Sequence, residues 1–330
     1  MTVAPPKVVP IVDGHTDVLL DLLHPNRNPG RDFFARGAAG HVDLPRLREG
    51  GIGAALLACF VPDDDVANGR ALIETLRMVD LFRRLVAEGD GRVTHVFDPA
   101  GLRACLDDGV FGAILHYEGA DALDPDLAVL RLSYDLGLRS LGLVWSRPNA
   151  FAQGVGPQDT GQGLTGAGRD LVRACNEMGV LLDVSHLNDA GFWDVVETTT
   201  RPIVASHSNS KAISPHPRNL SDDQIRAIAE NGGLLGLNFA IGFLWPDMGQ
   251  RTDLPLDLMV DHVAHVADLV GIEHVAIGSD YDGARVPDAV ADASQIGRLV
   301  EHLRLRDFTE PDIAAICHGN WLRVFDAVWR

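Results

Sequence analysis

Residues 165–186 read T-G-A-G-R-D-L-V-R-A-C-N-E-M-G-V-L-L-D-V-S-H, and this stretch decides the fold. Residues 165–178 form an amphipathic run of helical period. Gly179 interrupts it, and the apolar run 180–184 then ends on Ser185 and His186. The same unit recurs along the chain. Apolar runs at 8–12, 54–60, 111–116, 140–144, 180–184, 203–205, 234–238 and 274–277 lack polar alternation, as strands buried on both faces of a parallel sheet do. Helical stretches such as 66–88, 165–178, 221–230 and 256–270 lie between them, and Ser221 followed by Asp222 and Asp223 reads as an N-cap with an acidic first turn. Eight such strands with intervening helices predict an α/β fold, a closed (β/α)8 TIM-type barrel. No Ser/Gly linker or charge run divides the chain, so residues 1–330 are expected to form one domain. The tail 310–329 is expected to be a last amphipathic helix packed outside the barrel.

The bulk numbers restrict partners. The 330 residues are 46% hydrophobic and 22% charged, an ordinary globular composition, and 28 Lys+Arg against 46 Asp+Glu give a formal net charge of -18. Nucleic acid and anionic membrane both reward positive surface, so neither is expected as a partner. The N-terminus shows no signal-peptide core, and the longest uncharged stretch, 231–246, is glycine-rich and short for a membrane span. Cys59, Cys105, Cys175 and Cys317 are scattered without a CxxC pair and read as reduced core thiols. The expectation is a soluble, cytoplasmic protein, and the sequence allows a homo-oligomer without specifying one.

The metal-capable side chains fall at strand ends. His15 and Asp17 follow the first strand, two residues apart on extended chain and therefore on one side of it. Glu118 follows the third strand, His186 the fifth and His207 the sixth. Asp280 follows the eighth, in Gly278-Ser279-Asp280-Tyr281-Asp282-Gly283. All six belong to the C-terminal ends of the strands, the face on which barrels of this kind place their chemistry. Taken singly, His-x-Asp is a common turn, a lone histidine is more often a hydrogen-bonded core group, and a lone glutamate is half of an ion pair. Their joint placement on one rim points to a metal centre. Imidazole and carboxylate together suit Zn²⁺, with Mn²⁺, Co²⁺ or Fe²⁺ as alternatives. His15, Asp17, Glu118, His186 and His207 are too many ligands for one tetrahedral ion with an open position. They fit two divalent ions about 3.5–4 Å apart, sharing a carboxylate and holding a hydroxide between them. Only two lysines exist, Lys7 and Lys211, and neither is placed to bridge as a carboxylated lysine, which leaves Glu118 as the bridge. His24, His41, His95, His216, His262, His265, His302 and His318 fall in predicted loops or helices and read as surface groups, while His116 reads as part of the barrel wall.

The series Gly14-His15-Thr16-Asp17, Tyr117-Glu118-Gly119, Asp183-Val184-Ser185-His186, Ser206-His207-Ser208, Arg218-Asn219, Gly278 to Gly283 and Gly319-Asn320-Trp321-Leu322-Arg323-Val324-Phe325 resembles the renal (membrane) dipeptidase family, peptidases of the amidohydrolase superfamily. The resemblance runs from about residue 8 to the end. It implies a zinc dipeptidase that tolerates a D-residue on the C-terminal side of the scissile bond. His15 and Asp17 would hold one ion, His186 and His207 the other, and Glu118 would bridge. Asp280 would manage the proton between the bridging hydroxide and the leaving amine, with Asp282 as the next candidate. Arg218 would receive the substrate's C-terminal carboxylate. The sequence departs from the family at two substrate-side positions. Trp145 stands where the best-known members carry a histidine thought to polarise the scissile carbonyl, and Phe243 stands for a substrate-binding tyrosine. An indole offers one N–H and no basic nitrogen. Arg147 or Asn149 is therefore expected to take over the carbonyl contact, or the metal to act alone, with the indole face shaping the pocket. The alternatives are hydrolysis of another small amide, such as an N-acyl amino acid or lactam, and a catalytically inactive barrel that only binds; five intact ligands beside Asp280 speak against the latter.

Overall fold

The computed structural model describes residues 9–24 and 26–329. Lys7 and Val8, the latter the expected start of the first strand, lie outside the described residues. Nine parallel strands form one sheet: β1 (Ile11–Thr16), β2 (Ile52–Phe60), β3 (Val93–His95), β4 (Phe111–Glu118), β5 (Leu138–Gly142), β6 (Leu181–Asp183), β7 (Ile203–Ser208), β8 (Leu234–Leu237) and β9 (Val275–Ile277). The order β2-β1-β9-β8-β7-β6-β5-β4 closes on itself because β2 also pairs with β4. This is the expected TIM barrel. The sequence gives no sign of β3, which holds three residues. It pairs with the first residues of β4 (Val93↔Phe111 to His95↔Ala113), while β5 takes the later ones (Leu115↔Leu138 to Glu118↔Gly142). One edge of β4 thus serves two neighbours in succession.

Helices cover the sheet as the periodicity predicts, with one break. The expected helix over 66–88 is two helices, Asp63–Ala67 and Ala71–Glu88, separated where Gly69 takes φ 69°. Ser221 and Gln224 form a reciprocal capping box on the helix Asp222–Glu230. Among the described residues no helix is long and apolar enough to cross a membrane, and all four cysteines are buried and unpaired.

The C-terminal segment corrects an expectation. It comprises Glu310–Ala314, a wide turn over Ala315–Gly319 and the helix Asn320–Val328. Instead of lying outside the barrel, the last helix plugs the end opposite the metal-ligand rim. Trp321, Phe325 and Trp329 recur every four residues and stack in series (ring centroids 5.4 and 3.9 Å apart). Trp321, Val324, Phe325 and Val328 pack in one apolar cluster with Val12, Ala54, Leu56, Ile114, Leu181, Val204, Leu234 and Ala276. The Trp321 indole N–H donates to the Ile277 carbonyl at 3.1 Å. An amphipathic pattern specifies a buried face without saying which surface buries it.

Candidate metal centre

The strand register brings the site together. In the inner layers Phe60 pairs with Glu118 and Ala58 with His116, so side chains of β2 and β4 above the apolar floor point into the barrel mouth. β7 is irregular between Ala205 and Ser208, and the Ser206 carbonyl crowds the barrel interior. A Cβ on Gly236 or Gly278 would lie 2.0 or 1.8 Å from that oxygen, so only glycine fits at these two positions. His207 lies within this irregular stretch and faces the centre.

Glu118 is the hub. Its Oε1 lies 2.9 Å from His186 Nε2 and 3.7 Å from His207 Nε2, and its Oε2 lies 3.6 Å from His15 Nε2. His15 Nε2 is also 3.4 Å from Asp17 Oδ2, and the Nε2 atoms of His186 and His207 face each other at 3.0 Å. Asp280 closes the ring. Two overlapping groups, His15 with Glu118 and His207, and His15 with Asp17 and Asp280, each converge tightly enough to hold an ion. All five expected ligands and Asp280 therefore meet in one place. Lys211 is turned away, 3.6 Å from Asp189.

Two observations test whether cations fit. Both ring nitrogens of fully buried His15 lack a hydrogen-bond partner, an arrangement that is costly unless a ligand satisfies it. The carboxylates also crowd each other. Burial and the neighbouring Glu118 raise Asp17 to about 6, and burial, with Asp17 and Glu118, raises Asp280 to about 7. Burial opposes ionisation of Glu118 too, but the neighbouring His15 and His186 imidazoles hold it well below the usual range. Burial, with the positive Arg218, lowers His186 to about 4. Burial also takes His207 well below its ordinary value, helped by His15 and Arg218, so both imidazoles present neutral lone pairs. Neutral imidazoles beside packed carboxylates are a donor set for divalent cations.

A supporting layer fixes these rings, and sequence reasoning missed it. With Nε2 free for a ligand, His207 Nδ1–H donates to Ser206 Oγ at 2.7 Å, which donates to Asp183 Oδ2 at 2.5 Å. His186 Nδ1–H likewise donates to Ser146 Oγ at 2.8 Å. Ser279 donates its N–H and Oγ–H to the two oxygens of Asp13 at 2.7 and 2.6 Å, tying β1 to β9. Asn238 donates to Asp280 Oδ2 at 3.0 Å. These groups hold the ligands' second nitrogens and carboxylates in place. Part of their signal was present locally, as Asp13 before His15, Ser206 before His207 and Ser279 before Asp280, whereas Ser146 and Asn238 come from distant segments.

A cavity of about 430 Å³ opens over the centre, and Arg218, Trp145 and Phe243 line it. Arg218 is buried. Its Nη1 and Nη2 donate to Ser208 Oγ and the His207 carbonyl, while its Nε has no partner. Its Cζ lies 5.5 Å from the centre of the Phe243 ring. Trp145 stands between Phe60 and His186 at centroid distances of 5.3 and 5.8 Å, and does not pack away under the rim. Arg147 and Asn149 do not reach the cavity. Arg147 spends its nitrogens on Asp121, Asp63 and the Val61 carbonyl. Asn149 donates to the Leu143 carbonyl and accepts from the Phe151 and Ala152 N–H groups, which fastens its own loop. Asp282 is equally committed: Arg31 donates to one oxygen and the His41 N–H to the other. Two histidine expectations also change. His262 is a core group, accepting from the Ser210 N–H at 3.2 Å. His116 lies inside the barrel beneath the centre, edge-on to His15 with ring centroids 5.4 Å apart.

The likeness to known proteins agrees with this geometry. An uncharacterized protein from the pqqA 5' region of Klebsiella pneumoniae is 38% identical over 255 residues, covering 76% of this chain and 94% of that protein. The crystal structure of a metallo peptidase from Rhodobacter sphaeroides, liganded with a phosphinate mimic of the dipeptide L-Ala-D-Ala, is 37% identical. It superposes with a TM-score of 0.93, covering 98% of this chain and 100% of that one. A metallo peptidase described as dipeptidase AC, of family M19, superposes at 0.92 with 38% identity over 98% of this chain and 99% of that one. The family profile described as membrane dipeptidase, peptidase family M19, matches residues 6–330. With the closed barrel and the converging ligands of its rim, the chain belongs to the membrane dipeptidase family, M19, and is a metal-dependent hydrolase.

Proposed function

We propose that this enzyme holds two divalent ions, zinc being the first candidate, and hydrolyses small dipeptides, including those with a D-residue on the C-terminal side. The observation that carries the reading is one cavity over the point where five metal-capable side chains and Asp280 converge, beside a buried guanidinium with an unpartnered Nε. His15 and Asp17 would hold one ion, His186 and His207 the other, with the two oxygens of Glu118 facing the two sides. Divalent ions bound here supply Lewis-acid polarisation of the scissile carbonyl and acidify water toward neutral pH. The chain's own residues do the rest. Asp280, steadied by Asn238 at the edge of the centre, can take a proton at its carboxylate and return it to the leaving amine. Arg218, anchored through Nη1 and Nη2 on Ser208 and the His207 carbonyl, would offer its unpartnered Nε edge to the substrate carboxylate. The dipeptide mimic bound by the Rhodobacter sphaeroides relative supports the substrate class.

The test is a dipeptide panel, with L-Ala-D-Ala in it, offered to the zinc-loaded protein. Amidating the C-terminus of a good substrate should cut kcat/KM by roughly 10- to 100-fold, the worth of charge-assisted hydrogen bonds. Arg218→Met should cause a similar loss and add little on the amidated substrate. Simply additive losses would remove Arg218 from carboxylate recognition. Absence of free amino acids from every dipeptide, with turnover of N-acyl amino acids or lactams instead, would replace the substrate class.

A further inference from the structure

Arg218 reaches the cavity from the loop after β7. In the closed ring, β2 lies four strands from β7 in either direction, directly across the mouth. A dipeptide held at Arg218 by its C-terminal carboxylate therefore sends its N-terminal residue toward β2. That wall is apolar. Phe60 ends β2, Pro62 follows it, and Leu20 and Trp145 flank them, all lining the cavity. Phe60 and Trp145 meet edge to face with centroids 5.3 Å apart.

The charges at that rim are already paired. Asp63 is held by Arg147 Nη1 at 2.8 Å, and the Arg27 Nε donates to Asp21 at 2.8 Å. Arg147 itself lies behind both rings, its Cζ 5.7 Å from the Phe60 centroid and 5.4 Å from that of Trp145. It is fixed there by Asp121 and the Val61 carbonyl. A guanidinium so placed steadies aromatic faces from the protein side.

Resting on the dipeptidase reading, we infer that Leu20, Phe60, Pro62 and Trp145 form the side-chain subsite for the substrate's N-terminal residue and select apolar residues there, with Arg147 as a positioning residue for the two rings. A charged N-terminal side chain would lose its water against these faces, and the nearest charges, Asp63 and Arg27, are each already engaged by a protein partner. A glycine would leave the faces unfilled.

The experiment compares kcat/KM for Gly-, Leu-, Phe-, Asp- and Lys-Ala with metal-loaded wild type, Phe60→Ala, Trp145→Ala and Arg147→Met. Metal content and the thermal midpoint serve as controls for folding. Wild type should favour Leu-Ala and Phe-Ala over the glycyl, aspartyl and lysyl substrates. In each alanine variant the Leu/Gly and Phe/Gly ratios should collapse by roughly 10-fold or more, the range by which hydrophobic pockets discriminate. Arg147→Met should lower the same ratios without loss of metal, and Arg147→Lys should restore part of them. Hydrolysis with charged residues preferred, or ratios unchanged in the variants, overturns the subsite and leaves the dipeptidase reading standing. No hydrolysis of any dipeptide, including L-Ala-D-Ala, overturns the dipeptidase reading and this inference with it.

Discussion

Asp280 and His186 hold left-handed backbone conformations, φ 61° and 69°, that side chains with a Cβ rarely adopt. Each such residue costs on the order of 1–3 kcal/mol and persists only where its surroundings impose it. Here those surroundings are the Asp280 N–H bond to the His15 carbonyl, the Asn238 contact and the closely packed Gly283, where a Cβ would lie 2.1 Å from Asp17 Oδ2. A carboxylate pinned this firmly suits a proton-transfer role better than a loose loop acid does. Asp280→Asn should keep its metal and lower kcat by about 10²–10⁴-fold, the usual contribution of a general acid–base group. Elemental analysis beside steady-state kinetics checks this. Since Asp280 also converges with His15 and Asp17, loss of one ion in the variant would make it a ligand instead.

At the scale of elements, the barrel has a working end and a sealed end. The rim carries buried polar ligands, and the last helix seals the other end with aromatic side chains. Trp321 is fully buried, its indole N–H is satisfied by Ile277, and one ring atom would lie 2.4 Å from a Cβ on Gly14. Gly14 precedes His15, so this plug and the candidate metal centre press on the same stretch of β1. Trp321→Ala should cost about 3–5 kcal/mol by leaving a cavity, measured by urea unfolding of the zinc-loaded protein. A cost below about 1 kcal/mol would show that the helix contributes little to closing the barrel.

For the molecule as a whole, the centre concentrates carboxylates in an already acidic chain of formal net charge -18. Removing cations leaves Asp17, Glu118 and Asp280 facing each other in a buried space. Ligands that bind only the folded state stabilise it by mass action, about 4 kcal/mol at a thousand times Kd. Protein purified without chelator should approach two divalent ions per chain, and exhaustive chelation should lower the thermal midpoint reversibly. A stoichiometry fixed at one after zinc reconstitution would remove Glu118 as a bridge.

Read alone, the chain specifies the barrel and the metal-capable side chains that meet at its rim. Local signals sufficed, because buried parallel strands read as continuous apolar runs and each of these candidate residues follows one closely, as in Val184-Ser185-His186 and Ala205-Ser206-His207. Arg218, Trp145 and Phe243 were also legible as cavity groups. The remaining features depend on contacts made after folding. Arg147 and Asn149 are near Trp145 in sequence, but where a long polar side chain finds its partners depends on distant elements: Arg147 finds Val61, Asp63 and Asp121 and turns away from the cavity. The same holds for Asp282, claimed by Arg31 and His41, for β3, too short to carry a period, and for the last helix, whose apolar face is written in the sequence while the barrel floor it covers is not. Periodicity and spacing are properties of one segment. Pairing and occupancy are properties of two segments that meet only after folding.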